Sequence, residues 1–388
     1  MKKISKLLLS ILMLFVCLCG CSDKEEEKEK EPVNTTVKDV VVSFKGVGDN
    51  LIHDTIYLDA LQEDGTYDFT GMYKSVKKDM KDADIAFINQ ETMLGGVELG
   101  LSGYPTFNSP TEIAKNLKST GFNLVNLATN HSMDKYQRGI NNTLDAFRNA
   151  KGMVFDGIYD SQEAFDTIPT FEIKGITFSF LAYTYGTNGI PAENSYSVSY
   201  FDEARISQDV KEAKEISDVV IVSAHWGDEN SFTPNVFQKS YAQLFADLGV
   251  DVVIGTHPHV IQPIEWVEGV EGNKTLVVYS LGNFIGGMLT TNNAINGMIE
   301  FDFVQDHKTK EISVENVNWV PMIIHFEGNQ NNILAERWNY KSYKVSEYSD
   351  DLASKHVLNG YGGNVVSIDY IMNVQKQVIS EEFLEVKE

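Results

Sequence analysis

The chain has 388 residues, 43% of them hydrophobic, which is material for one large α/β domain with extensions or for two ordinary domains. Its formal net charge of −23 excludes simple electrostatic capture of nucleic acid or anionic lipid headgroups, so any anionic substrate must be held by a local site. The only cysteines are Cys17, Cys19 and Cys21, so no thiolate is available downstream for a metal and no disulfide can form there.

Lys2, Lys3 and Lys6 precede an apolar run from Leu7 to Leu18 that is short for a permanent membrane span, and residues 1–20 read as an export signal. Leu18-Cys19-Gly20-Cys21 resembles a bacterial lipobox, in which cleavage leaves Cys21 to carry a diacylglycerol. That predicts an extracytoplasmic protein, lipid-anchored to the bacterial cell membrane through Cys21. Cleavage removes three lysines and no acid, taking the charge from −23 to −26. Residues 21–37 are charged, lack apolar anchors and read as a solvated tether.

The folded part begins with a strand from Lys38 to Val47 that ends in Gly48-Asp49-Asn50, with His53 following. A helix is predicted over Phe69–Met80, then a strand over Ala83–Ile88 that closes in Asn89-Gln90-Glu91. Thr111–Ser119 reads as a helix and Phe122–Leu127 as a strand delivering Asn130 and His131. A helix over Lys135–Asn149 follows, with Ile140, Leu144 and Phe147 at helical spacing. Val154–Phe180 reads as a meander, with a hairpin about Lys174-Gly175, and Ala204–Ile216 as a helix.

Ile221, Val222 and Ser223 form a buried strand that ends at His225. Pro234–Leu248 carries apolar residues at helical spacing, with Pro234 placed in the first turn and Gly249 as the stop. Val250–Ile254 is a second buried strand, ending in Gly255-Thr256-His257-Pro258-His259. A strand, a helix and a strand make a βαβ unit, and the carboxyl ends of parallel strands line the crevice where ligands bind. His225, His257 and His259 are therefore expected at one sheet edge, where neutral imidazoles suit a metal.

Strands over Val260–Val267, Leu276–Leu281, Gly297–Val304 and Ile312–Ile324 follow. Residues 38–327 are read as one domain and 328–388 as a polar extension packed on it. Asp228 and Glu229 read either as solvated loop charge or as carboxylates orienting a ligand histidine. Asn283 reads as a turn residue or a substrate contact. His307, His325 and His356 read as surface or packing histidines, and Trp226 and Tyr279 as core.

Asp49, Glu91, Asn130, His131, His225, His257 and His259 all fall within a few residues of a predicted strand's carboxyl end. Two carboxylates, an amide oxygen and several imidazoles suit one or two divalent cations such as Mn, Fe or Zn. In order, GDNLIHD (48–54), NQE (89–91), LATNH (127–131), SAHWG (223–227), GTHPHVIQPIE (255–265) and YSLGNF (279–284) resemble the CapA family. That family comprises poly-gamma-glutamate capsule biosynthesis proteins within the calcineurin-like metallophosphatase superfamily.

The resemblance implies a four-layer α/β/β/α metallophosphatase-like sandwich. It places Asp49 and His259 on one metal, and Asn130, His225 and His257 on another. Glu91 stands where the superfamily has a bridging aspartate, and His131 takes the role of proton donor or transition-state stabiliser. His53 lies four positions after Asp49, where the superfamily has Asp-x-His, and is a further ligand candidate with Glu229 and Asn283.

The implied function is a metal-dependent hydrolase in synthesis, export or anchoring of an anionic envelope polymer, acting on a phosphorylated envelope substrate. Its partners would be the membrane, through the lipid on Cys21, and capsule synthase membrane subunits, with no nucleic acid. The alternative is a non-catalytic binding or assembly component of a polymer synthase complex that retains the metal site.

Overall fold

A computed structural model describes residues 38–384. The export signal, Cys21 and the tether lie outside the described residues. Among the described residues, fourteen strands form two sheets: β1 (Val40–Asn50), β2 (Ile85–Asn89), β3 (Leu124–Asn126), β4 (Val154–Asp156), β5 (Thr170–Ile173), β6 (Ile176–Thr184), β7 (Val219–His225), β8 (Val252–Thr256), β9 (Ile264–Glu268), β10 (Lys274–Val278), β11 (Asn283–Ile285), β12 (Ile295–Gln305), β13 (Ile312–Gly328) and β14 (Arg337–Lys344). The first sheet runs β14-β13-β12-β1-β2-β3-β4, with β11 paired to β1, and the second runs β5-β6-β7-β8-β10-β9.

Residue alternation explains why the sheets stack with helices outside. In β7, Val219 and Ile221 enter the core shared by the two sheets, whereas Val220, Val222 and Ala224 pack with the helices Glu203–Ile216 and Val236–Asp247. Strand β8 does the same, with Val252 and Ile254 inward and Val253 outward, as does β10 with Leu276 and Val278 against Val277. A strand buried on both faces is apolar throughout, which is why β7 reads as a continuous run. The inner seam is aromatic: Phe44 stacks on Phe301 at 4.4 Å, Phe178 meets Phe303 edge-on at 5.2 Å, and Phe87 meets Phe180 at 6.3 Å. Each such fully buried side chain contributes about 1.5–3 kcal/mol. The helices Glu112–Thr120 and Tyr136–Ala150 bury Ile113, Leu117, Ile140, Leu144 and Phe147 in the core of the first sheet, completing a four-layer α/β/β/α sandwich.

The strands β1 to β4 run parallel, as do β6, β7, β8 and β10. Expectation and structure part in several places. The helix predicted over Phe69–Met80 is a turn, a short 3-10 segment at Lys74–Val76 and the helix Lys77–Asp82. There Asn116 Oδ1 accepts the Phe69 N–H and Ser342 N–H donates to the Met72 carbonyl, which ties the turn to its neighbours. Pro234 is not in a first turn: Asn235 caps the helix in a reciprocal box with Gln238, and the helix starts at Val236.

Val154–Phe180 is not purely a meander, since β4 joins β3 in parallel. Asp156 at the end of β4 reaches the other sheet, its Oδ2 accepting the Ala182 N–H at 2.9 Å, while Oδ1 accepts the nearby Tyr159 hydroxyl at 2.8 Å. No boundary falls at 327/328, because β13 ends at Gly328 and β14 continues the same sheet. The terminal helix Ile368–Val378 is fastened by Gln375, which accepts from Trp319 Nε1 and donates to the Asn296 carbonyl, each at 2.8 Å. No helix among the described residues is long and apolar enough to cross a membrane.

Candidate metal centre

A ladder of side chains crosses the carboxyl ends of β1, β2 and β3. Asn126 donates to Asn89 Oδ1 at 2.7 Å, and Asn89 donates to Asp49 Oδ1 at 2.8 Å. Asn126 Oδ1 in turn accepts the Ala128 N–H at 3.0 Å. The Asp49 carboxylate is thereby aimed before any ligand arrives. Its backbone is fixed too, since Asp49 N–H donates to the Gly282 carbonyl at 3.0 Å where β1 meets β11. A Cβ on Gly48 would lie 1.9 Å from that oxygen, so only glycine permits the approach.

From the second sheet, His259 Nδ1 lies 3.0 Å from Asp49 Oδ2 and 3.0 Å from Asn283 Oδ1. His225 Nε2 lies 2.9 Å from Asn130 Oδ1, and its Nδ1 lies 2.9 Å from the Thr256 hydroxyl. Glu91 sits between these two pairs, with Oε1 at 3.6 Å from His259 Nε2 and 3.8 Å from His225 Nε2. Glu91, His257 and His259 present ligand atoms that all lie within 4.8 Å of one another. The turn that carries them has positive φ at two non-glycine residues, His257 at 95° and His259 at 58°. Such conformations cost of order 1–3 kcal/mol each and persist where the surroundings enforce them. Here Asn230 N–H holds the Pro258 carbonyl at 2.8 Å.

The donors fit a divalent cation. Both oxygens of Glu91 and Nδ1 of His257 are buried with no hydrogen-bond partner among the described residues. Buried polar atoms are normally paired, and a carboxylate without donors is costly unless a cation satisfies it. Burial pushes the Glu91 carboxyl well above its ordinary range, and Asp49 adds to this while His259 opposes it. Burial also works against charge on His259, yet Glu91 and Asp49 outweigh it and raise that imidazole to about 9. His225 and His257 are driven well below the usual range by burial and by the other imidazoles, leaving them neutral and ready to ligate.

His131 is placed beside this cluster and is oriented by a residue the sequence reading did not name. Its Nδ1 donates to Asp134 Oδ2 at 2.7 Å, and the Phe107 N–H donates to the same oxygen at 2.6 Å. The Phe107 ring meets the His131 imidazole edge-on at 4.7 Å. Tyr185 forms an opposite wall, its ring 4.7 Å from His257 and 43% exposed. Asn188 also enters, its Nδ2 3.5 Å from His131 Nδ1 and its Oδ1 accepting from Asn130 at 3.3 Å. An Asn-His pair followed by an acid one helical turn later was the available signal for Asp134.

The remaining candidates fall differently. Asn283 is not a turn residue but lies buried in β11, holding His259. Glu229 is exposed and makes no hydrogen bond to a ligand histidine among the described residues, so it acts only through its charge. Asp228 accepts from Asn235 and is spent there. His53 does not join the cluster: its Nδ1 accepts the Gly287 N–H at 3.0 Å. His325 and His356 pack against each other at 5.3 Å, His307 pairs with Asp39 at 2.8 Å, and Trp226 and Tyr279 stack in the core at 5.8 Å.

The sequence is similar to those of two CapA biosynthesis proteins. The PGA biosynthesis protein CapA of Bacillus subtilis (strain 168) is 31% identical over 192 residues, 49% of this chain and 49% of that protein. The capsule biosynthesis protein CapA of Bacillus anthracis is 27% identical over 214 residues, 53% of this chain and 50% of that protein. The match thus spans about half the length of each relative. A phosphatase of Mycoplasma pneumoniae superposes with a TM-score of 0.45 at 14% identity, over 74% of this chain and 94% of that one. The family described as bacterial capsule synthesis protein PGA_cap matches residues 43–288, well over half of the sequence, and the chain belongs to that family.

Proposed function

We propose that this protein is a divalent-metal phosphoester hydrolase of the cell envelope, serving synthesis, export or anchoring of an anionic capsule polymer. The observation that carries the reading is Glu91, a buried carboxylate with both oxygens unpartnered, lying between two histidine-containing pairs. Asp49, Glu91 and His259 would hold one cation, and Asn130, His225, His257 and the shared Glu91 a second, with Mn, Fe or Zn as the ions. When bound, such cations supply Lewis-acid charge to a phosphoryl group and to the water that attacks it.

The chain's own residues do the rest. Asp134 fixes the His131 proton on Nδ1, which leaves Nε2 as the ring atom facing reactants and able to hold or deliver a proton at the leaving oxygen. Phe107 and Tyr185 wall the ligands and limit water around them. The capsule role rests on the names of the Bacillus relatives and on the family. Its partners would be a phosphorylated envelope substrate or the polymer itself, with capsule synthase membrane subunits nearby. Anchoring rests on Cys21, and Cys21→Ser should release the protein from the membrane fraction.

Elemental analysis of the mature protein beside His225→Ala and His257→Ala, followed by hydrolysis of an aryl phosphodiester, tests the reading. Near-stoichiometric metal lost in both variants, with metal-dependent turnover, supports it. Metal without turnover favours the assembly-component alternative, and no metal after reconstitution with Mn, Fe or Zn rejects both.

A further inference from the structure

His53 stands at the rim of the metal centre and is wired from behind. Its ring is roughly perpendicular to that of Phe107 at 5.2 Å, and Phe107 is in turn roughly perpendicular to His131 at 4.7 Å. Two groups face Nδ1: the Gly287 N–H at 3.0 Å and the Leu51 carbonyl at 3.1 Å. Leu51 O already accepts the His53 backbone N–H at 3.1 Å, whereas the Gly287 N–H has no other acceptor among the described residues. A backbone N–H is fixed in direction, while the ring proton can move to the other nitrogen. A second hydrogen on Nδ1 would face the first and orphan a partly buried donor, so Nδ1 keeps its lone pair and Nε2 carries the proton.

Gly287 is locked in this position from its other side. Its carbonyl accepts from Arg337 Nη1, and Arg337 is 7% exposed. A Cβ on Gly287 would meet the His53 ring and Arg337 at 3.0 and 3.1 Å, so a larger residue there would have to push one of them aside by a few tenths of an ångström. Burial and the nearby Arg337 charge also lower His53 to about 3, so the ring stays neutral across the physiological range.

A histidine that ligates a metal through Nε2 has its proton on Nδ1, usually given to a carbonyl or carboxylate. His53 has the reverse arrangement, and Nε2 has no partner among the described residues. We infer that His53 is a neutral Nε2–H donor for an anionic oxygen of the substrate, and not a metal ligand. This inference rests on the phosphoester-hydrolase reading for the substrate's class, but not for the tautomer. Together, the cations would hold the reacting phosphoryl group, and His53 would recognise an oxygen toward the Phe107 side of the cleft.

The test uses the full chain in detergent, loaded with Zn and labelled with [15N]histidine, with His53→Gln and His53→Ala as variants. The nitrogen shifts that disappear in His53→Gln should report a proton on Nε2 and none on Nδ1, with or without Zn. Both variants should keep wild-type zinc content. For an aryl phosphodiester, His53→Ala should raise KM about tenfold or more with kcat changed by less than about threefold, and His53→Gln, which can still donate, should recover part of the loss. A proton on Nδ1, or zinc lost from His53→Gln with its melting temperature intact, overturns the inference. If wild type turns over nothing, the hydrolase reading fails, and calorimetric binding of inorganic phosphate decides His53 alone. Weaker binding in His53→Ala than in wild type upholds the donor role, and equal affinity, or none in either protein, overturns it.

Discussion

His131 Nδ1 lies 2.7 Å from Asp134 Oδ2, one helical turn further along the chain, and Phe107 N–H secures the same oxygen. The pair fixes which ring nitrogen faces the metal cluster. His131→Gln should lower turnover of an aryl phosphodiester by about 10²–10⁴-fold, the usual range for a positioned acid or base. Asp134→Asn should approach that loss, and the double variant should be little worse than His131→Gln, because the two side chains act as one unit. Metal content, read by elemental analysis, should be unchanged in all three.

Glu91 stabilises the loaded protein at the expense of the empty one. Glu91→Leu removes two buried oxygens that have no donor, and should stabilise metal-free protein by roughly 1–3 kcal/mol. The same variant should gain nothing from added Mn, whereas wild type at a hundredfold excess over its Kd should gain about 2.7 kcal/mol. Melting curves with and without chelator separate the two effects, and a wild type indifferent to both would remove Glu91 from the metal site.

Asp156 ties β4 to β6, and burial pushes its carboxyl up to about 7 from the usual 3.8. The folded chain therefore keeps a proton that the unfolded chain releases between about pH 4 and pH 7. Stability from this group is greatest below that window and is lost as pH rises through it, by on the order of 4 kcal/mol at most. Denaturant titrations of wild type and Asp156→Asn should show that pH-dependent difference, flat below about 4 and above about 7.

Gly48→Ala should be costly out of proportion to one methyl group. The added carbon would overlap the Gly282 carbonyl, which accepts from Asp49 N–H, so relief requires moving β1 from β11. A loss of about 1–3 kcal/mol or more in stability is expected, with weaker metal affinity because Asp49 moves with its strand.

Much of this was legible before any coordinates. The strands β7 and β8 announce themselves as apolar runs, and both faces are indeed buried. Asp49, Glu91, Asn130, His225, His257 and His259 converge because parallel strands deliver their carboxyl ends to one edge, a rule of topology that needs no alignment. The residues that orient them were less legible. Asn126 carries no signal, Asn89 shows only as part of the 89–91 motif and Asp134 only as an acid three residues after His131, and the register of β1 to β3 and the turn after His131 bring their side chains to bear. Spacing from Asp49 offers His53 as a ligand candidate but says nothing about which ring nitrogen a glycine amide will occupy. The same holds for β14, where a polar stretch becomes a strand because β13 offers it an unpaired edge.

Asp49, Glu91 and Asn130 come from the first sheet, while His225, His257 and His259 come from the second. A cation seated among them is therefore a rivet between two layers that otherwise touch through interchangeable apolar side chains. Drift in the aromatic seam that slid one sheet over the other by a fraction of an ångström would leave each donor in place on its own strand or the turn after it and still pull the set apart. The seam between the sheets thus sets the spacing of these side chains, and a substitution in it changes that spacing without touching a polar residue.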